Sequence, residues 1–325
     1  MEVKEQRRLF MSPVDPKPAT PLTPRQRRFI DAAVDIRENE PESEDKAFMT
    51  RYMVQATLPH SAPKGNPPTW TRVNGDYTLR IRPGYMTDPK TKEEKCVGYP
   101  FGSVPRLLMF WMTTEALKTG SRKLIFGNSL TKFMRSIGLN PDNGGTGAKR
   151  SDARRLRDQM ERLFLATISF EYSTLEARCW KDMVIAPEGE LWWNPKTPDE
   201  PVFWDSWIEL GDKFYEAIIS SPFPVDIRAI RALKNSPLAL DLYAWTTYKT
   251  STVSRANKPQ RISWIALQKQ LGANYKDVMN FKKASKEAFS RITTVYPGLR
   301  LDEVEGGIII QPGRPAISQV SKPKV

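Results

Sequence analysis

Between Arg261 and Gln311 the chain carries a short strand, a helix, a glycine turn, a strongly basic helix and a Gly-Gly hairpin in unbroken succession. Few folds accept that order. Ser263 is placed to cap a helix carrying Ile265, Leu267 and Leu271, and Gly272 to end it in a left-handed turn. From Lys276 to Ile292, the residues Val278, Phe281, Ala288 and Ile292 recur at helical spacing and share one face, while Lys276, Asn280 and Lys283 project from the other. Leu299, Leu301 and Val304, the Glu305-Gly306-Gly307 turn, and Ile308 to Ile310 then make a hairpin beside that helix. Helix, turn, helix and hairpin spell a winged helix with the hairpin as its wing. A basic helical face alone is an ordinary solvated surface; the order around it is what directs it at DNA.

The full chain of 325 residues is long enough for two domains, and its net charge of +13 favours a polyanionic partner. No run of 18 apolar residues exists, and Met1 to Phe10 mixes charges where a signal peptide would be apolar. A soluble, cytoplasmic protein without membrane contact is expected. Cys96 and Cys179 are too few and too far apart for a disulfide framework or zinc site, and His60 is the single histidine. That leaves no paired-histidine metal site and makes a structural role for His60 the expectation. No metal, cofactor or catalytic group is expected.

Residues 1–46 form a Pro-rich arm, expected to be largely mobile, with one short helix from Thr23-Pro24 whose stripe is Phe29, Ile30, Ala33 and Val34. The acidic run from Glu38 to Asp45 reads as a solvated tether. Alternation predicts strands over Tyr52 to Leu58 and Tyr77 to Ile81. A buried helix over Ser103 to Lys118, a strand over Leu124 to Phe126, a Ser129-capped helix and a basic helix over Arg150 to Phe164 follow. Strands over Ala166 to Tyr172 and within Ala177 to Trp193 complete a second occurrence of the same order. Two tandem winged helices in an α+β chain are the simplest account.

Pro195 to Pro201 marks the domain boundary, giving a first domain over 47–196, a second over 197–318 and a tail over 319–325. In the second, Trp207 to Leu210 is strand-like, Asp212 to Ile218 is helical, Pro222 to Pro224 breaks that helix, Asp226 caps a turn of helix through Arg231, and Ser236-Pro237 opens an apolar central helix.

The segment Gly144 to Ser151 has the glycines of a phosphate loop, but Ala148 and Arg150 flank Lys149 where such a loop needs Gly and Ser or Thr. A flexible lead-in to a DNA-facing helix fits it better. The two basic helices differ. Arg154 shares its outer face with Asp158 and Glu161, which repel phosphate, so Lys149, Arg150 and Arg154 are auxiliary DNA contacts at most. On the later helix Lys276, Asn280, Lys282, Lys283 and Lys286 outnumber the carboxylates; Asn280 is placed to pair with adenine, and Arg261 and Arg314 to add backbone contacts.

The segments Tyr52 to His60, Tyr99 to Leu108, Arg155 to Met160 and Ser236 to Trp245 resemble the RepA-type plasmid replication initiators, spread over most of the chain from residue 24 onward. The end of the wing, Ile310 to Gly313, departs from that family's pattern. The resemblance implies a non-enzymatic initiator that binds repeated double-stranded sites in a plasmid origin, exchanges between monomer and dimer, and recruits the host initiator and replicative helicase. A transcriptional repressor built on the same fold is the alternative reading. An origin-nicking enzyme would need metal-binding histidines that the chain lacks.

Overall fold

The computed structural model describes residues 21–55, 57–88, 90–141, 152–192, 200, 205–272 and 275–317. The Gly144 to Ser151 loop, with Lys149 and Arg150, lies outside them, as does the Pro195 to Pro201 boundary apart from Glu200.

Helix α1 (Pro24–Glu38) starts in a capping box: Thr23 accepts from the Gln26 amide while the Gln26 side chain reaches back. Arg228 ties this helix to the body through Asp35 and the Asn39 carbonyl. Next come β1 (Lys46–Thr50) and a single turn, α2 (Tyr52–Gln55). A strand was expected over Tyr52 to Leu58; the strand instead precedes it. Short apolar alternation suits strand or turn equally. Here the antiparallel place beside a distant strand is taken by Lys46–Thr50, and Val54 and Leu58 enter the core from the turn and the loop after it.

Strands β2 (Trp70–Asn74), β3 (Tyr77–Arg82), β4 (Gly84–Thr87) and β5 (Glu94–Gly98) lead to α3 (Ser103–Thr119), which ends at Gly120 in a left-handed cap. Then follow β6 (Lys123–Gly127), α4 (Leu130–Ser136) capped by Ser129, α5 (Asp152–Phe164), β7 (Thr167–Ser173), β8 (Arg178–Val184), β9 (Glu188–Glu190) and β10 (Ser206–Glu209). Helix α6 (Asp212–Ser220) gives way to β11 (Pro222–Asp226). The prolines there sit in a two-stranded pair with β1, where an unpaired edge tolerates missing N–H groups. Helix α7 (Ile227–Leu233) is capped by Asp226, and α8 (Pro237–Ala256) by Ser236 with Pro237 at its first position. The chain closes with β12 (Gln260–Ser263), α9 (Trp264–Leu271), α10 (Val278–Val295), β13 (Leu301–Val304) and β14 (Gly307–Ile310).

The fold is mixed α+β. Helix, strand, helix, helix, strand, strand occurs twice, at α3 to β8 and at α8 to β14. Strand pairing does not repeat with it. In the later run all three strands make one sheet, β12-β14-β13. In the earlier run β6 pairs with β10, whereas β7 and β8 join β3 and β2.

Helices α3 and α8 are buried over most of their surfaces, and one polar cluster joins them. Arg106 on α3 donates Nε and Nη2 to the two carboxylate oxygens of Asp241 on α8, both at 2.7 Å. Its remaining N–H groups go to the carbonyls of Leu58 at 2.6 Å, Pro59 at 3.2 Å and Gly102 at 2.7 Å. All five donors of the guanidinium are thus used. His60 Nε2 lies 2.9 Å from Asp241. Burial pushes the Asp241 carboxyl up, but Arg106 and the His60 hydrogen bond outweigh it and hold the group below its ordinary value. Burial also lowers His60, against the pull of Asp241. The imidazole is therefore neutral at pH 7, and because an ionised carboxylate only accepts, Nε2 carries the proton. The expectation that His60 is structural agrees with this arrangement.

A second cluster lies on the sheet β2-β3-β7-β8. Arg80 beside Glu171, with hydrogen bonds from Ser173 at 2.8 Å and Arg178 at 2.9 Å, pulls that carboxyl from 4.5 to about 2, burial opposing them.

Replacing Asp241 by Ala leaves Arg106, 3% exposed, without its counter-charge. Loss of one partner of a buried pair costs about 3–5 kcal/mol. Urea unfolding should show that loss, and Arg106→Met combined with Asp241→Leu should recover part of it. Glu171 stabilises the fold at pH values above 4.5, and its contribution disappears as pH falls from 4.5 to about 2. Melting temperature followed across that window should fall less steeply for Glu171→Gln than for the unmodified chain.

Candidate nucleic-acid interface

Ser263 caps α9 by accepting from the Ala266 amide at 3.1 Å. Trp264, Leu267 and Leu271 are buried, while Ile265 is 56% exposed and faces out. Gly272 ends the helix, though not in the expected left-handed turn: its φ is −82°. The glycine is required for space. A Cβ at this position would lie 2.8 Å from Gln268 Cγ, 2.9 Å from the Gln268 carbonyl and 3.0 Å from the Phe281 ring.

The end of α9 is held by a residue that sequence reasoning missed. Arg72, on β2, donates to the carbonyls of Gln268, Lys269 (2.8 Å) and Gly272 (3.1 Å). These are orphan acceptors at a helix C-terminus, where a cation also meets the negative end of the helix dipole. Gln270 adds a hydrogen bond to the Val54 carbonyl at 2.8 Å. Nothing near Arg72 in sequence announces this role, since its partners lie nearly 200 positions away.

Helix α10 begins at Val278, with Asp277 as its N-cap accepting from the Asn280 amide at 2.8 Å. Phe281, Ala288 and Ile292 face inward. Lys276 therefore precedes the helix. The Asn280 side chain donates to the second oxygen of Asp277 at 2.6 Å, and these backbone and side-chain hydrogen bonds hold Asp277 below its ordinary pKa. Bidentate pairing of Asn280 with adenine requires its amide to leave that carboxylate.

The other predicted contacts separate into paired and unpaired groups. Lys286 and Lys282 approach Glu303 on β13 at 2.8 and 3.6 Å, and the Lys286 hydrogen bond is the main cause of the lowered Glu303 pKa. Arg261 donates to the Glu305 carbonyl at 2.7 Å, and Arg314 pairs with Glu40 at 2.5 Å. Lys276 and Lys283 are exposed and make no ion pair among the described residues. Between them stands Met279, 76% exposed. The exposed surface at the start of α10 is therefore Lys276 just before the helix, Met279 and Lys283 on it, and the mutually bonded Asp277 and Asn280 between them.

The hairpin turns tightly at Glu305-Gly306, where Gly306 has φ +73° and a Cβ on Gly307 would fall 2.2 Å from the Ile262 carbonyl. Its exposed charges are Asp302, Glu303 and Glu305, all acidic. On the earlier basic helix α5, Arg154 is half-buried, Arg155 pairs with Asp152 at 3.4 Å, and Arg157 pairs with Glu161 at 2.9 Å. Asp158 is exposed, its carboxyl raised by partial burial against the pull of Arg162. That helix presents a balanced surface, not a cationic one.

No helix among the described residues is long and apolar enough to cross a membrane. No curated protein sequence matches this chain. Two crystal structures of domains 2 and 3 of RctB superpose on it at 12% identity, with TM-scores of 0.49 and 0.41. The first covers 78% of this chain and 94% of that one, the second 79% and 94%. Likenesses at these values bear on neither function nor site. Residues 99–266, slightly more than half of the chain, match the family described as plasmid encoded RepA protein, and they include Arg106, Asp241 and the whole run from α3 to β12. The chain belongs to the plasmid-encoded RepA family.

Proposed function

We propose that this protein initiates plasmid replication, without catalysing a reaction, by binding repeated double-stranded sites in an origin. The observation that carries the reading is the open face of α10, where Lys276, Met279, Asn280 and Lys283 are exposed beside a hairpin on a basic chain. Helices α9 and α10 with the sheet β12-β14-β13 act as a winged helix whose second helix enters the major groove. Lys276 and Lys283 neutralise phosphate or reach guanine, and Met279 supplies an apolar contact of the kind a thymine methyl accepts. The acidic hairpin does not grip the backbone; Glu303 instead holds Lys282 and Lys286 away from it.

The module over 197–318 reads sequence in this scheme. The module over 47–196, a second winged helix in element order, serves dimerisation and auxiliary contact through α5. Strands β10 and β11 reach back from the reading module to β6 and β1. Binding strains adjacent A/T-rich duplex, and host replication proteins then join.

Salt dependence of binding to origin repeats is the direct test. Lys276→Ala and Lys283→Ala should each flatten the slope of log affinity against log salt by about 0.9, the value for one lost phosphate contact. Lys282→Ala and Lys286→Ala should change it much less. Equal slopes for all four variants would remove α10 from the interface. Arg72→Ala should weaken binding to the repeats yet leave the slope unchanged, because Arg72 positions α9 and touches no phosphate.

A further inference from the structure

The first turns of α1 face the end of α4, the end of α7 and the second half of α10 across a cleft of about 1160 Å³. Its wall is basic, formed by Arg25, Arg28, Arg135, Arg231, Lys234 and Arg291. One carboxylate lines it among the described residues, Asp35, and Arg228 occupies that group at 3.4 Å. Between the cations lie apolar side chains, Leu22, Phe29 and Leu139 among them.

Backbone geometry assembles this wall. Gly138 has φ +79°, and a Cβ there would fall 2.8 Å from Arg231 Cγ. Only glycine lets Arg231 lie against that turn and donate to the Ser136 carbonyl at 3.1 Å, while Lys234 donates to the Gly138 carbonyl. Arg291 stands over the Phe29 ring, 5.2 Å from its centroid. Among the described residues none of these six cations forms a salt bridge, and Asp152 is the one carboxylate that acts on Lys234. Burial lowers the Lys234 pKa, and Arg28 and Arg231 lower it further against Asp152; burial lowers that of Arg291, with Arg25 adding to it. A bound anion would relieve this repulsion.

We propose that the cleft docks an acidic amphipathic segment of a partner protein, its carboxylates meeting Arg28, Arg135, Arg231 and Lys234 and its apolar side chains meeting Leu22, Phe29 and Leu139. A duplex fits it poorly. The site is concave and partly apolar, whereas a phosphate backbone is convex and offers no apolar complement. Arg291 also lies about 12 Å along α10 from Lys283, at 1.5 Å per residue. The chain's own first twenty residues are not acidic, since Lys4, Arg7, Arg8 and Lys17 outnumber Glu2, Glu5 and Asp15. This docking site is independent of DNA reading by α10.

The test uses the full chain and a labelled helical peptide with Leu on one face and Glu on both flanks, with a Gln-for-Glu counterpart as control. The acidic peptide should bind at least about tenfold more tightly than the control, as expected for several charge-assisted contacts. The double variant Arg28→Glu/Arg135→Glu should lose about tenfold of that affinity while keeping its circular dichroism, its melting temperature and its affinity for origin DNA. Equal binding of the two peptides, or undiminished binding by the double variant, would overturn the proposal. So would displacement of the peptide by duplex DNA together with weakened DNA binding in the double variant, which would assign the cleft to the nucleic acid. A rise in peptide affinity on deleting residues 1–20 would instead make the chain's own arm the occupant.

Discussion

The buried contact between Arg106 and Asp241 is the constraint on which the rest of the structure depends. It joins the longest helix of each half of the chain and gathers the loop from Leu58 to His60 around the same guanidinium. Such a pair is not a simple source of stability, because removing two charges from water offsets much of their attraction. Its value is geometric. A guanidinium with all five donors satisfied has one orientation, so α3, α8 and the loop are held in one relation to each other.

That relation reaches the candidate interface through β2. Arg72, nearly 200 positions earlier in the chain, closes the end of α9, and the space left by Gly272 lets Phe281 pack against the same end. The start of α10 is thereby set by contacts outside its own module. The orientation of α10 is thus tied to the first half of the chain. Changes in how the two halves meet would be felt at Lys276 and Lys283 without altering either residue.

The segments that carry the RepA resemblance are the ones that build this frame. His60, Arg106 and Asp241 come from three of them. The fourth contributes Gln159, whose side chain accepts from the Phe101 amide at 2.8 Å. They were recognisable in the sequence because this packing needs particular residues at fixed places. For the same reason they said little about the exposed face of α10, where no such packing demand applies.

By itself the sequence determined most helices, their caps at Thr23, Ser129, Asp226, Ser236 and Ser263, the Gly306 turn and the excess of positive charge. The caps and the turn depend on residues two to four positions apart and the charge on composition alone, so local pattern suffices. Tertiary structure alone decided that Lys46–Thr50 and not Tyr52 to Leu58 is the strand, that β6 joins β10, and that Gly272 serves close packing. It also decided which cations of α10 remain open. Lys282 and Lys283 are neighbours in sequence with equal side chains, yet one faces Glu303 across the hairpin and the other faces solvent. Charge and helical spacing place a lysine on a surface; only the approach of a distant strand decides whether its partner is already there.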